Sequence, residues 1–495
     1  MAPTNFNIVC SVLGGFIAIF GLVSYLLKER FYLSEALVAL IAGIFFSHVT
    51  KVIKPIDYVL GSQENLATVT LCFTRLVLGI QLVIAGVQLP KRHLLREWKA
   101  LIVLVLPVMT VTWLCTSLII WGLVPGVQIL HALAIGACVT PTDPVLSNSI
   151  VKGKFADQNV PERLQKLIVA ESGINDGFGY PFLFLPLYLL RHSGKHEMDQ
   201  PHGLLTVLGR WFVETWVYMI GLGIIYGISI GWLAKELLHR AETRGYVDRE
   251  SFLVFVISLA LLTLGTCGLL ESDDILACFI AGNAFTFDDW FRLRTLDDSL
   301  QPTIDMLLNL AVFMWLGAVC PWSSFVDSNI VSIYRLILLA VLVLLFKRLP
   351  VIYAMRSFIP HIEQPRQALF VGFFGPIGVS AIFYLYVSVE YLRDSTVSER
   401  EGADAKNLEE KMLVIVWFLV ISSIVVHGLC ISLAKLGILL PRALSSRFPI
   451  QSRQPLGSQQ HIQSYNTFNC GIPVNKPHQS NSSGSLRDRH IAGED

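Results

Sequence analysis

The chain has 495 residues, of which 53% are hydrophobic and only 15% charged, whereas a soluble globular chain carries about a quarter charged residues. Its formal net charge of +1 offers no basic surface for nucleic acid and no acidic balance for a basic partner. The apolar residues come in runs of about twenty, the length a helix needs to cross a bilayer, so the chain reads as an all-α polytopic membrane protein with the lipid bilayer as its first partner.

Taken in chain order, the runs predict about thirteen transmembrane helices, at 7–27, 33–50, 68–90, 99–123, 129–149, 164–190, 209–237, 252–270, 274–287, 303–320, 330–356, 367–391 and 411–438. The first run lacks a basic lead-in and is long enough to remain as a span, which argues against a cleaved signal peptide. Lys and Arg are more frequent in the loops after odd-numbered spans, among them Lys91, Arg92, Arg96 and Arg240. That bias predicts an N-terminus outside and a C-terminus in the cytoplasm. The cysteines are scattered, and most lie within apolar runs, as small packing residues do, rather than as a disulfide or metal framework. No cofactor is expected. Residues 1–440 therefore read as the transmembrane domain. The polar stretch 441–495, rich in Ser, Gln, Asn and Arg, reads as a disordered cytoplasmic tail, and the sequon at Asn481 falls within it.

Two spans are interrupted. The fifth carries Pro141 and Pro144 around Thr142-Asp143, and the twelfth carries Gly372-Phe373-Phe374-Gly375-Pro376-Ile377-Gly378. Seven spans separate them, an odd number, so they run in opposite directions. This predicts inverted six-helix repeats, about 7–190 and 252–438, joined by a linking helix at 209–237, with one broken helix in each. Broken helices at corresponding positions point to a transporter's binding site, because unwound backbone exposes carbonyls and helix ends to a cavity. A Pro or Gly kink is the bland alternative for either break alone.

The sixth span contains Ala170-Glu171-Ser172-Gly173-Ile174-Asn175-Asp176-Gly177. Glu171 and Asn175 share one helix face, and Ser172 and Asp176 share another. Ionisable side chains inside a span mark a functional site by default. A small hard cation such as Na+ exchanges its water for oxygen ligands, and a carboxylate, hydroxyls and free carbonyls supply them. Burial disfavours a charged carboxylate, so proton and Na+ can compete at Asp176, and that competition is enough for exchange. A structural Asp–Asn hydrogen bond is the alternative. Asp143, between two prolines, suits helix capping and positioning better than direct ligation. An ionised Glu171 needs a partner, and Arg348 in the eleventh run is the best candidate. Lys347 beside it reads as snorkelling to the membrane surface. Asp273 and Asp274, beside Glu271, form a candidate cation entrance or simply solvated loop charge. His427 fits an interhelical hydrogen bond, and Glu214 an interfacial position.

Thr140-Pro-Thr-Asp-Pro-Val-Leu, Ala170-Glu-Ser-Gly-Ile-Asn-Asp-Gly and Phe370-Val-Gly-Phe-Phe-Gly-Pro-Ile-Gly together closely resemble the fungal plasma-membrane sodium/proton antiporters, of the cation/proton antiporter family, over about residues 7–440. The resemblance implies a plasma-membrane homodimer of thirteen-span protomers, each with a dimerisation domain and a mobile core that moves like an elevator. It implies Asp176 as carrier of cation and proton with Asn175 beside it. It further implies Thr142 and Asp143 as the broken-helix part of the site, Ser172 as a ligand, and Glu171–Arg348 as a structural ion pair. The Asn-Asp form of the motif goes with electroneutral exchange in the wider family. Many yeast members carry His where this chain has Phe373, and several have longer tails.

The sequence thus reads as a secondary antiporter, not an enzyme, exporting Na+ and Li+ in exchange for H+. A K+/Na+ exchanger on the same machinery is the nearest alternative, and a receptor or scaffold without transport comes from another class. An intramembrane aspartyl protease is disfavoured, because neither a Tyr-Asp nor a Gly-x-Gly-Asp motif lies in a span.

Overall fold

The computed structural model describes residues 5–27, 33–151, 160–192, 203–326, 330–395 and 399–435. The chain divides into two units, 1–447 and 448–495. The second unit lies outside the described residues, as does the whole stretch 441–495 read as a tail, with its sequon at Asn481.

Among the described residues all regular structure is helical. Among these residues eight helical stretches are long and apolar enough to cross a membrane: Asn7–Tyr25, Gln63–Gln88, Trp98–Leu123, Gly203–Thr243, Arg249–Leu269, Leu300–Val319, Ile333–Phe358 (interrupted at Lys347 and Arg348) and Ala405–Cys430. Shorter apolar helices span Glu35–Val49, Ile129–Cys138 and Asp274–Phe285. Side chains with one oxygen to spare start several of them. Ser62 accepts from the Asn65 N–H at 3.3 Å and Asp248 from Ser251 at 2.9 Å, which satisfies backbone donors that the helix itself cannot.

Two helices show how burial is distributed. Gly203–Thr243 keeps Phe212, Val217, Ile225 and Trp232 exposed, an apolar outer face that suits lipid and not water. Asp274–Phe285 is apolar nearly all round and buries ten of its twelve residues, as a helix enclosed on every side must. It packs against Gln63–Gln88, against Gly203–Thr243 and against the helix Glu162–Gly177. The last contact is close because Gly173 and Gly177 face it. A methyl group at either would fall 2.3 Å from the Phe279 ring or 2.4 Å from Leu276. The two glycines, four residues apart, make one smooth face of Glu162–Gly177, and Glu171, Ser172, Asn175 and Asp176 occupy the others.

Four of the runs read as single spans are each divided. Residues 129–149 become Ile129–Cys138 and Pro144–Val151, and 367–391 become Pro365–Phe373 and Val379–Ser395. Residues 164–190 become Glu162–Gly177 and Gly179–His192. The eleventh run divides as well, into Ile333–Phe346 and Leu349–Met355, with Lys347 and Arg348 at the join. Pro350 has no N–H and disfavours helical geometry in the residue before it, which explains an interruption at this point.

Candidate functional site

The two broken helices meet at their interruptions. The Asp143 N–H donates to Pro376 O at 3.0 Å, joining one break directly to the other. Asp143 is fully buried, and its carboxylate caps two helices at once. Oδ1 accepts from the Val145 N–H at 2.8 Å, at the start of Pro144–Val151, and Oδ2 accepts from the Val379 N–H, at the start of Val379–Ser395. A negative group at two helix N-termini satisfies donors and opposes both helix dipoles. Room for it comes from Gly378, where an added Cβ would fall 1.6 Å from Asp143 Oδ2.

The opposite ends carry positive charge. Lys347 Nζ donates to Val139 O at 2.7 Å, just past the C-terminus of Ile129–Cys138. Arg348 Nε donates to Val371 O at 3.2 Å, in the last turn of Pro365–Phe373. Cations at helix C-termini are favourable for the same dipole reason. This corrects the surface position expected for Lys347, which is 2% exposed. The helix join turns both cations inward, toward the breaks. Arg348 also meets Glu171: Nη2 donates to Oε2 at 2.8 Å, and Nη1 lies 2.7 Å from Oε1, with both side chains buried. Gly375 leaves space for the guanidinium, since a Cβ there would come within 2.4 Å of Arg348 Cδ.

Asn175 holds the first break open. Its Oδ1 accepts from the Thr142 N–H at 3.2 Å, and its Nδ2 donates to Thr142 Oγ1 at 2.7 Å. Thr142 Oγ1 lies 3.3 Å from Ser172 Oγ, which lies 3.3 Å from Ser147 Oγ. Thr142, Ser172, Asn175 and Ser147 thus form one connected polar network. In the second break the Ile377 N–H donates to Ser423 Oγ at 2.7 Å, and His427 places Nε2 3.1 Å from Phe373 O. His427 therefore sits between helices.

Asp176 differs from all of these. It is fully buried, yet neither carboxylate oxygen has a hydrogen-bond partner. Its backbone is held, because Tyr384 Oη donates to Asp176 O. A carboxylate left in this condition is costly as an anion and is stabilised by taking up a proton or a cation.

Asp273 and Asp274 are buried rather than solvated. Asp273 caps Asp274–Phe285 through the Leu276 N–H at 2.9 Å, and Asp274 Oδ2 lies 2.6 Å from Arg75 Nε. The short loop before them leaves both inside the helix start rather than on the surface. Glu214 is exposed and accepts from the Tyr188 hydroxyl. Sequence reasoning missed Ser147, Ser380, Tyr384 and Ser423. Ser147 and Ser380 carried a weak signal, as hydroxyls in the first turn after each break.

Two interrupted helices crossing beside a buried, unsatisfied carboxylate define a multi-pass membrane protein with a polar centre inside its helical core. The chain belongs to the transmembrane sodium/hydrogen exchanger family, whose model matches residues 15–434. It is 38% identical over 447 residues to a Schizosaccharomyces pombe protein named as a probable Na(+)/H(+) antiporter, covering 87% of this chain and 56% of that protein. It is 36% identical over 446 residues to Na(+)/H(+) antiporter 2 of Zygosaccharomyces rouxii, covering 88% and 53%. The chain therefore spans about half the length of these two curated relatives. Its fold is similar to that of the sodium proton antiporter MjNhaP1 from Methanocaldococcus jannaschii, with a TM-score of 0.60 at 17% identity, covering 88% of this chain and all of that one.

Proposed function

We propose that this chain is a secondary antiporter that exports Na+ and Li+ in exchange for entering H+, with Asp176 as the shared carrier. The observation that carries the reading is the Asp176 carboxylate, fully buried with both oxygens unpartnered. It sits on the helix whose neighbouring residues hold the first break and pair with Arg348. Such a carboxylate is tolerable when protonated or when it binds a cation, and not as a bare anion. A carboxylic acid that loses its proton as Na+ arrives, and regains one as Na+ leaves, exchanges one ion for the other.

In this reading Asp143, Lys347 and Arg348 are scaffold charges. They cap the four half-helix ends at the breaks, while Asp176 exchanges proton for cation. Thr142, Ser172 and Asn175 form the polar network next to it and are the further candidate ligands. Movement of the unit that carries the crossed breaks, in a plasma-membrane homodimer with its N-terminus outside, would present Asp176 to each side in turn.

The test is dissipation of an imposed pH gradient in proteoliposomes on adding Na+, Li+ or K+. The reading expects wild-type protein to respond to Na+ and Li+ and Asp176→Ala to be silent. An equal response to K+ would replace the selectivity with the broader K+/Na+ exchanger. Transport by Asp176→Ala at the wild-type rate would overturn the carrier assignment.

A further inference from the structure

The network around the first break is closed on itself, and the oxygens left over lie elsewhere. Three buried oxygens make no well-formed hydrogen bond: Asp176 Oδ1, Asp176 Oδ2 and Ser380 Oγ. Ser380 is the second residue of Val379–Ser395 and is 1% exposed.

Its position explains the missing partner. A buried helical hydroxyl usually bonds back to the carbonyl one turn earlier, as Thr74 does to Thr70 at 2.8 Å and Ser388 to Tyr384 at 2.6 Å. One turn before Ser380 lies Pro376, inside the break, and its carbonyl already accepts the Asp143 N–H. The interruption thus removes the acceptor that would quench this hydroxyl.

The direction of the side chain is fixed independently. Residues four apart share a helix face, and Tyr384, four residues after Ser380, donates its hydroxyl to Asp176 O and reaches Gly177 O at 3.4 Å. The face of Val379–Ser395 that carries Ser380 is therefore the face turned to Asp176. The Ser380 hydroxyl is also close enough to act on that carboxylate.

We infer that Ser380 supplies a hydroxyl oxygen to the alkali cation bound at Asp176, making it a specificity-determining ligand contributed by the second broken helix. This rests on Asp176 being the carrier. A neutral oxygen suits the task, because it adds a ligand to a small hard cation without adding a second charge to titrate. Held at the start of a helix, it adds a hard oxygen whose attraction is stronger for the smaller Na+ and Li+ than for the larger K+. Protonated Asp176 needs no such ligand, so the contact distinguishes the two exchanged ions.

The experiment measures exchange in proteoliposomes against cation concentration, for wild type, Ser380→Ala, Ser380→Cys and Asp176→Asn, with the melting temperature of each purified protein recorded. Loss of a ligating oxygen from Ser380→Ala and Ser380→Cys should raise KM for Na+ and Li+ about tenfold or more, the scale on which metal affinity responds to small changes around a site. The maximal rate at saturating cation and the half-maximal proton concentration should change little, the pattern expected when uniform binding is lost. Cys keeps the size of Ser and replaces its hard oxygen with sulfur, so it should fail as Ala does. Unchanged KM for Na+ and Li+ in both variants would overturn the inference while leaving Asp176 as carrier. Reduced maximal rate and melting temperature at unchanged KM would overturn it too, by making Ser380 structural. Wild-type exchange by Asp176→Asn would instead remove the carrier reading on which the inference rests.

Discussion

The two breaks do the same job with opposite materials. The first is built of side chains: Thr142 and Asp143 contribute a hydroxyl and a carboxylate, and Asn175 on a neighbouring helix braces them. The second is built of backbone and space. Gly375 and Gly378 clear room for Arg348 and Asp143, and Ile377 is held from outside by Ser423. An unwound segment needs both its polar groups satisfied and its neighbours admitted. Each break here meets one of those needs mainly for the other. The lesson is that the charge belongs to one half of the crossing and the clearance to the other, so the two cannot be altered independently.

Adding bulk to the second break should do the most damage. Gly378→Ala places a methyl group 1.6 Å from Asp143 Oδ2, which expels the cap from both helices. The yield of monodisperse protein and its melting temperature should collapse. Gly122→Ala, where nothing lies within 4 Å, should behave as wild type. A well-folded Gly378→Ala would show that the crossing yields where we describe it as rigid.

Removing charge should come next. Arg348→Ala leaves Glu171 buried and unpaired, a loss of about 3–5 kcal/mol, and Arg348→Ala with Glu171→Gln should recover much of it. A thermal-melting cycle over the two single variants and the double one measures the coupling, and strict additivity would mean that no working pair exists. Asn175→Ala should cost less, about 1–3 kcal/mol for the unsatisfied Thr142 N–H, read again as a lowered melting temperature. An unchanged melting temperature would place the brace elsewhere.

The smallest effect is expected far from both breaks, though on the same helix as Glu171. The Lys166 ammonium beside the exposed Glu162 holds that carboxyl below its usual range. A lowered carboxylate pKa stabilises above the ordinary carboxylate range and ceases to do so as pH falls through the lowered value. Glu162→Gln should therefore change stability by under about 0.5 kcal/mol near neutral pH and make no difference in strong acid, as melting at several pH values would show.

How much of this could be read from the chain follows from the same division. Asp143 and Asp176 announced themselves as carboxylates inside apolar runs, and the prolines and glycines marked where helices stop. Local chemistry of that kind is written in consecutive residues. Lys347 was misread because its destination, the Val139 carbonyl, lies far away in sequence. Only the helix join at Lys347 and Arg348, just before Pro350, turns the side chain inward. Asp273 and Asp274 misled for a related reason, since a short polar loop looks solvated until its neighbours pack over it. Ser380 carried only a weak signal, because a serine in a membrane helix ordinarily satisfies itself. It matters here through the carbonyl it lacks, which no spacing rule records.

The central claim is that Na+ and a proton displace each other at Asp176. It is tested most directly by the heat of Na+ binding to purified protein in two buffers of different ionisation enthalpy, repeated with Asp176→Asn. The account predicts a buffer-dependent heat equivalent to about one proton released per Na+ bound when the acid form predominates, by linkage between the two equilibria, and no binding in the variant. A heat independent of buffer at every pH, or proton release that survives Asp176→Asn, would contradict it.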